Sequence, residues 1–214
     1  AAPAPVPRSD ALVASALPAA VLLAISLSDE PRTFAVVRSR ALRDHAGEVA
    51  FPGGKQDPGD ADLLSTALRE ASEEVGLHAD DVTVLGSLSA MPVITGRYLI
   101  QPYVGLLRDG VTPHLASGEA AALLDLPLLA WIRGERPIRG VMGTWLGVSL
   151  MAPHFELGEH VLFGASGYMF YELLSRIASA MGVMLPEAIL QDDMPWKRSL
   201  PNGGALVPSG WPAR

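Results

Sequence analysis

The sequence predicts a mixed α/β (α+β) layered domain. Short apolar runs of strand length stand on both sides of one strongly amphipathic helix, and Gly, Pro and Asp separate them. At 214 residues the chain has the length of one domain with short appendages. With 49% hydrophobic and 18% charged residues it can build a core, and with only 6% aromatics that core must rest on Ala, Leu and Val. The boundaries read as an N-terminal arm over 1–18, a main domain over 19–186 and a tail over 187–214, with no internal repeat.

The opening AAPAPVPRSD is rich in Pro and Ala and reads as a mobile arm. The stretch 11–28 is uncharged, but Pro18 divides it and Asp29 and Glu30 close it, which predicts a helix followed by a core strand. Only Arg8 precedes it, so neither a secretory signal nor a membrane span is expected. The first strand falls near 20–27, a turn at 28–31, and the second strand at 34–38. Residues 39–50 read as an irregular loop ending in a short strand over 48–51, and Pro52-Gly53-Gly54 as a turn. A helix is predicted over 62–75, stopped by Gly76. Strands follow over 82–88 and 99–107. The segment 119–133 reads as helical until Pro127 interrupts it. After a Gly-rich stretch near 140–147 a strand is predicted over 148–151. A closing helix over 166–181 presents Leu173, Leu174 and Ile177 on its apolar face, and the tail shows little periodicity.

Lys and Arg number 16 against 23 Asp and Glu, a net charge of −7, which argues against a nucleic-acid or anionic-membrane binder. A small phosphorylated ligand stays possible, because a divalent cation reverses the local sign. With no cysteine, the chain has no disulfides, thiolate metal sites or cysteine nucleophiles. Its C-terminal Pro-Ala-Arg is not a peroxisomal address, so cytoplasm is the expected compartment.

The helix over 62–75 carries the chemistry. At about 100° per residue, Leu64, Ala67, Leu68, Ala71 and Val75 share one side, while Glu70, Glu73 and Glu74 share another. Carboxylates gathered at i, i+3 and i+4 repel one another and raise each other's pKa. A hard divalent cation with oxygen ligands relieves that repulsion, and solvation of an ordinary acidic face is the other reading of the same spacing. Arg69, four residues before Glu73, can pair with it. The Gly-Gly turn ahead of the helix could expose a carbonyl ligand and let a phosphate approach.

Residues 54–77, GKQDPGDADLLSTALREASEEVGL, resemble the Nudix box, G-x5-E-x7-R-E-U-x-E-E-x-G-U with U aliphatic. The second half matches as Arg69-Glu70-Ala71-Ser72-Glu73-Glu74-Val75-Gly76-Leu77. In the first half Asp60 replaces Glu, and eight residues rather than seven separate it from Arg69. A second block, residues 37–54, is similar to the coenzyme A pyrophosphatase signature L-L-T-x-R-S-x3-R-x3-G-x3-F-P-G-G. Arg38, Ser39, Arg43, Gly47, Phe51, Pro52, Gly53 and Gly54 fall on it in register, while the leading L-L-T is replaced. Later segments, Phe163-Gly164-Ala165-Ser166-Gly167 and the loop 91–98, fit that subgroup only loosely.

The resemblance implies a Nudix fold, a mixed β-sheet sandwiched between helices. It implies hydrolysis of the diphosphate of coenzyme A, including acyl or oxidised forms, to 3′,5′-ADP and 4′-phosphopantetheine with Mg2+ or Mn2+. Glu70, Glu73, Glu74 and Gly54 are then the metal site, Arg69 joins them in the catalytic set, and Asp60 supplements the metal shell through water. Arg38, Ser39, Arg40, Arg43, Gly53, Gly54 and Lys55 are the expected substrate contacts, the guanidinium groups because their forks suit phosphate oxygens. The general base is Glu70 or a loop glutamate such as Glu119 or Glu159. His45 reads as a loop hydrogen-bonder, and Tyr98 and Phe163 as core residues or adenine stackers. The alternatives are a Nudix hydrolase of ADP-ribose or a dinucleotide, and a nucleotide-sensing Nudix domain without turnover. The expected partner is a small nucleotide, with no nucleic acid or membrane, for a monomer or homodimer.

Overall fold

The structure is a computed structural model that describes residues 15–27, 30–42, 45–93 and 96–195. Of the predicted arm over 1–18, residues 1–14 lie outside the described residues, as do Arg43 and Trp196 and Trp211 of the tail, while Leu17 and Pro18 already belong to the first strand. In chain order the first strands are β1 (Leu17–Ser26), β2 (Arg32–Arg38), β3 (Val49–Ala50) and β4 (Gly53–Lys55). Helix α1 (Leu63–Val75) and a single 3-10 turn (Ala79–Asp81) lead to β5 (Val82–Ser87), β6 (Met91–Pro92) and β7 (Tyr98–Leu107). Then come β8 (Ala120–Pro127), α2 (Leu128–Ile132), β9 (Arg139–Trp145), β10 (Val148–Leu157), β11 (His160–Leu162), α3 (Gly164–Ala180) and β12 (Ile189–Gln191).

One mixed sheet runs β3-β2-β1-β7-β5, with β4 on β1, β6 on β7 and β8 on β2. A second runs β11-β10-β9-β12. β1 lies parallel to β7 from Leu17 opposite Tyr98 to Ile25 opposite Leu106. Because side chains alternate along a strand, β1 feeds two cores. Ala20, Leu22 and Ala24 meet Ala67, Ala71 and Val75 of α1, with Leu63 and Leu68 packed against them. Small residues on both surfaces let this helix lie close to the sheet. Val21, Leu23 and Ile25 face the other way, toward Trp131, Phe155, Phe170 and Leu174. There Trp131 meets Phe170 edge-on at 5.1 Å, and Phe155 meets Phe170 at 4.7 Å between ring centroids. The sheet is thus sandwiched between α1 on one face and α2 and α3 on the other, a mixed α/β architecture.

Several elements differ from the sequence reading. Residues 120–127 are a strand, β8, paired antiparallel along β2 from Arg32 opposite Pro127 to Arg38 opposite Ala120. The helix-forming run Ala120-Ala121-Ala122-Leu123-Leu124 yields here to nonlocal pairing, and only Leu128–Ile132 is helical. The Gly-rich stretch is strand β9, whose partner β10 extends to Leu157. Gly53 and Gly54 belong to β4, paired with Val21 and Ala20 of β1. A Cβ on Gly53 would stand 2.6 Å from the Val21 Cα, so only glycine fits this approach. Pro18, read as the divider between helix and strand, lies within β1, and its carbonyl accepts the Gln56 N–H at 3.0 Å. Among the described residues no helix is long and apolar enough to cross a membrane.

Candidate active site

α1 is fixed at both ends by its own sequence. Asp62 caps the start, its Oδ1 accepting the Ser65 N–H at 2.7 Å, and Gly76 ends it in the left-handed region at φ 67°. With Ala67, Ala71 and Val75 turned to the sheet, Glu70 and Glu74 are carried to the edge of the contact with β4. Glu74 is only 4% exposed. The Gly53 N–H donates to its Oε2 at 3.3 Å, and Arg38 Nη1 stands 4.0 Å from its Oε1. Burial pushes the Glu74 carboxyl up to about 7; the Gly53 N–H and Arg38 oppose this, and Glu70 and Glu119 add to it. Burial also raises the Glu70 carboxyl, against the opposing pull of Arg69 and with the repulsion of Glu73 and Glu119. A Cβ on Gly54 would stand 2.6 Å from Glu70 Cδ, so the carboxylate occupies the room glycine leaves.

Arg69 is the counter-charge of the cluster. Its Nη2 lies 3.0 Å from Glu70 Oε1 and its Nη1 3.0 Å from Glu73 Oε2. The guanidinium is itself gripped by Asp60, Nε to Oδ1 at 2.9 Å and Nη2 to Oδ2 at 3.1 Å. Asp60 Oδ2 also accepts from Thr66 Oγ1 and from the Asp57 N–H, each at 2.9 Å. The Arg69 hydrogen bonds, with the Asp57 N–H, hold the Asp60 carboxyl well below the usual carboxylate range. Asp60 therefore anchors Arg69, and both its oxygens are engaged there rather than turned to a metal shell as expected. Thr66, which the sequence did not mark, completes this anchor.

The other expected residues divide. Ser39 joins the site through its backbone, the N–H donating to the Glu119 carbonyl at 2.7 Å, while its Oγ accepts the Ala41 N–H at 3.3 Å. Lys55 projects outward beside Asp57 at 3.7 Å, and Arg40 lies exposed in the turn after β2. Arg43 lies outside the described residues. His45 Nδ1 pairs with Glu48 Oε2 at 2.9 Å, as read for a loop residue. Phe163 packs beside Val141 and Met194 as a core residue, and Tyr98 lies under the Arg97 guanidinium at 5.3 Å. Glu119 is near enough to act on both Glu70 and Glu74. Glu159 instead sits in the turn between β10 and β11, its side chain 87% exposed and 3.9 Å from His160.

Among the described residues no three acidic or imidazole side chains stand already gathered as a metal cage. Glu73, with a side chain 59% exposed, is held on Arg69. The donor set nonetheless fits a hard divalent cation. The buried Glu74 and the half-buried Glu70, both with raised pKa, carry charge that Arg38 and Arg69 only partly offset, and all the available donors are oxygens.

The residues just described fall in the span that matches a known family. Residues 17–122 match the NUDIX domain family. The matched span runs from β1 into β8 and so contains α1, β4, Arg38 and Glu119. Over 130 residues the chain is 44% identical to the uncharacterized Nudix hydrolase NudL of Yersinia enterocolitica, covering 61% of this chain and 66% of that protein. It is 46% identical over 110 residues to the NudL of Photorhabdus laumondii, covering 51% of this chain and 58% of that one. The matched region thus spans somewhat less than two thirds of these curated relatives. Among solved structures, a MutT/nudix family protein from Enterococcus faecalis superposes with a TM-score of 0.50 at 14% identity, covering 82% of this chain and 66% of that one. That likeness concerns the fold.

Proposed function

We propose that this chain is a Nudix pyrophosphohydrolase dependent on Mg2+ or Mn2+, and that it cleaves the diphosphate of coenzyme A to 3′,5′-ADP and 4′-phosphopantetheine. The observation that carries the reaction type is the pair of the buried Glu74 and the half-buried Glu70, set against the Gly53–Gly54 strand, with Arg38 facing Glu74. The bound ion supplies neutralisation of diphosphate charge and activation of a water. Glu70 and Glu74 would hold it, with Glu73 available from the exposed face of the helix and Gly54 offering its carbonyl. Arg69, locked by Asp60, keeps Glu70 and Glu73 oriented.

Arg38 is the guanidinium suited to the diphosphate. Its Nε is buried without a partner among the described residues, so a phosphate oxygen would satisfy a donor that is otherwise costly to bury. Glycine at 53 and 54 leaves no side chain between that group and the strand. Water adds to one phosphorus, the bridging P–O bond breaks, and two phosphomonoesters leave. Glu119 is the loop carboxylate favoured to take the water's proton, since it acts on Glu70 and Glu74 whereas Glu159 pairs with His160. The choice of coenzyme A over other nucleoside diphosphate derivatives rests on the block Arg38-Ser39 through Phe51-Pro52-Gly53-Gly54. Three carboxylates confined on one helix face disfavour a sensor that binds nucleotide without turnover.

The test is product identification by chromatography and mass after incubating the protein with Mg2+ and, separately, coenzyme A, ADP-ribose and a dinucleotide. Phosphopantetheine from coenzyme A supports the substrate assignment. Cleavage of ADP-ribose or the dinucleotide with coenzyme A intact replaces it with the second hydrolase reading, and no cleavage of any of the three refutes the reaction.

A further inference from the structure

The loop from β7 to β8 makes contacts that the reaction above does not call upon. The last carbonyls of an α-helix have no donor within the helix. In α1 the Gly76 N–H serves Ser72 at 3.1 Å and the Leu77 N–H serves Ala71 at 3.2 Å. The carbonyls of Val75 and Glu74 are taken by the loop instead, from the His114 N–H and the Ala116 N–H, each at 3.0 Å. Alternate amides are used, so the loop passes the helix end in extended form. The His114 ring lies over Gly76, where a Cβ would stand 2.7 Å from Nε2 and 3.0 Å from Nδ1.

Three residues beyond Ala116 comes Glu119. Its N–H donates to Ser117 Oγ at 3.3 Å, and its carbonyl accepts from Ser39 at 2.7 Å. The next residue, Ala120, pairs with Arg38. The segment is therefore pinned at one end to the helix that bears Glu70 and Glu74, and at the other to the strand that bears Arg38.

We propose that Gly76 and His114 are positioning residues: they register this loop on the C-terminal end of α1, and that register sets Glu119 opposite Glu70 and Glu74. The proposal rests on the hydrolase reading. A slip of one residue in the register moves the chain by about 3.3 Å, while displacements of about 1 Å at reacting groups already cost about a hundredfold in rate. The notch over Gly76 accepts the flat ring because glycine has no Cβ, and a glycine at φ 67° is the residue that both ends the helix and leaves that notch open.

The test is a double-mutant cycle of His114→Ala with Glu119→Gln, read as kcat and KM on the diphosphate substrate that the wild type cleaves, with Mg2+. Amide hydrogen exchange over 114–119 is followed on the same proteins. Glu119→Gln is expected to lower kcat about a hundredfold. His114→Ala is expected to lower kcat about tenfold with KM nearly constant, to speed exchange at Ala116, and to have no further effect once Glu119 is Gln. His114→Phe, which refills the notch with a flat ring, is expected to restore most of kcat. Gly76→Ala strains the backbone and endangers folding, so the cycle is built on His114, which leaves Gly76 untouched. Unchanged kcat in His114→Ala, an equal loss in the Glu119→Gln background, or a loss confined to KM overturns the proposal. A wild-type protein that cleaves no diphosphate refutes the hydrolase reading and the positioning role with it; the wild-type control separates that outcome from the others.

Discussion

Glu74 is held in a place that costs the fold stability when it is charged, and the size of that cost follows from the structure. The residue is 4% exposed, and burial raises the pKa of its carboxyl from 4.5 to about 7. At about 1.4 kcal/mol for each pH unit, ionising it in the folded, metal-free protein costs about 3 kcal/mol more than in the unfolded chain. The group's folded pKa lies above its unfolded value, so the direction with pH is fixed. Below pH 4.5 both states are protonated and there is no penalty. Between 4.5 and about 7 the unfolded chain ionises while the folded one does not, and stability falls. Above about 7 the full penalty stands. Glu74→Gln removes the charge and keeps an oxygen for the Gly53 N–H, but its amide N–H groups need acceptors beside Arg38, which returns about 1 kcal/mol of the gain. The variant is therefore expected to be about 2 kcal/mol more stable than wild type at pH 8.5 in EDTA, a rise of about 4–8 °C in Tm for a chain of this size. At pH 4.5 the advantage should vanish. Thermal and urea unfolding at the two pH values measure this directly. A variant less stable than wild type at pH 8.5, or equally stabilised at both, would refute the claim that Glu74 is a buried, charge-penalised carboxylate kept for chemistry.

Other expectations follow from the same geometry. Asp60→Asn breaks the two-pronged grip on Arg69 and should lower Tm at neutral pH. The carboxyl is depressed by its partners, so its contribution is present above its unfolded pKa and is lost as pH falls; the wild-type advantage, followed by thermal unfolding, should shrink toward pH 3. Gly54→Ala drives a methyl group into the Glu70 carboxylate and should lower kcat about tenfold or more in a steady-state assay, with little change in the circular dichroism spectrum. Arg38→Lys keeps the charge but loses the fork and the buried Nε donor, so KM for the diphosphate substrate should rise about tenfold rather than be rescued.

What the sequence made legible was what local periodicity controls. The helix carrying Glu70, Glu73 and Glu74, its Asp62 start and its Gly76 stop all follow from spacing and caps, and the structure has them at Leu63–Val75 with those two residues as its caps. β1 was legible as an apolar run, although its division between two cores needed the alternation of Ala20, Leu22 and Ala24 with Val21, Leu23 and Ile25 to be set against a helix. β8 was misread because Ala and Leu favour helix locally, while its register on β2 is a nonlocal decision. β9 was hidden by glycines. One of these, Gly140, makes room for Met151, whose Sδ a Cβ would meet at 2.6 Å.

The same division holds in the site. The acidic face was legible, but the Asp60 anchor was not, since its partners come from Asp57, Thr66 and Arg69 and meet only when the loop before α1 folds back on it. Glu119 and Glu159 looked alike as loop acids. What separates them is that β8 begins beside Arg38, which carries Glu119 to the site.

In the proposed function the acidic face of α1 holds the divalent ion on which diphosphate cleavage depends. A titration with Mn2+, read by the loss of the free-ion electron paramagnetic resonance signal, tests this without any substrate. Wild type should bind Mn2+, the Glu70→Gln/Glu74→Gln double variant should not, and the two should share one circular dichroism spectrum. Equal binding by both proteins would move the metal, and the chemistry with it, away from this helix.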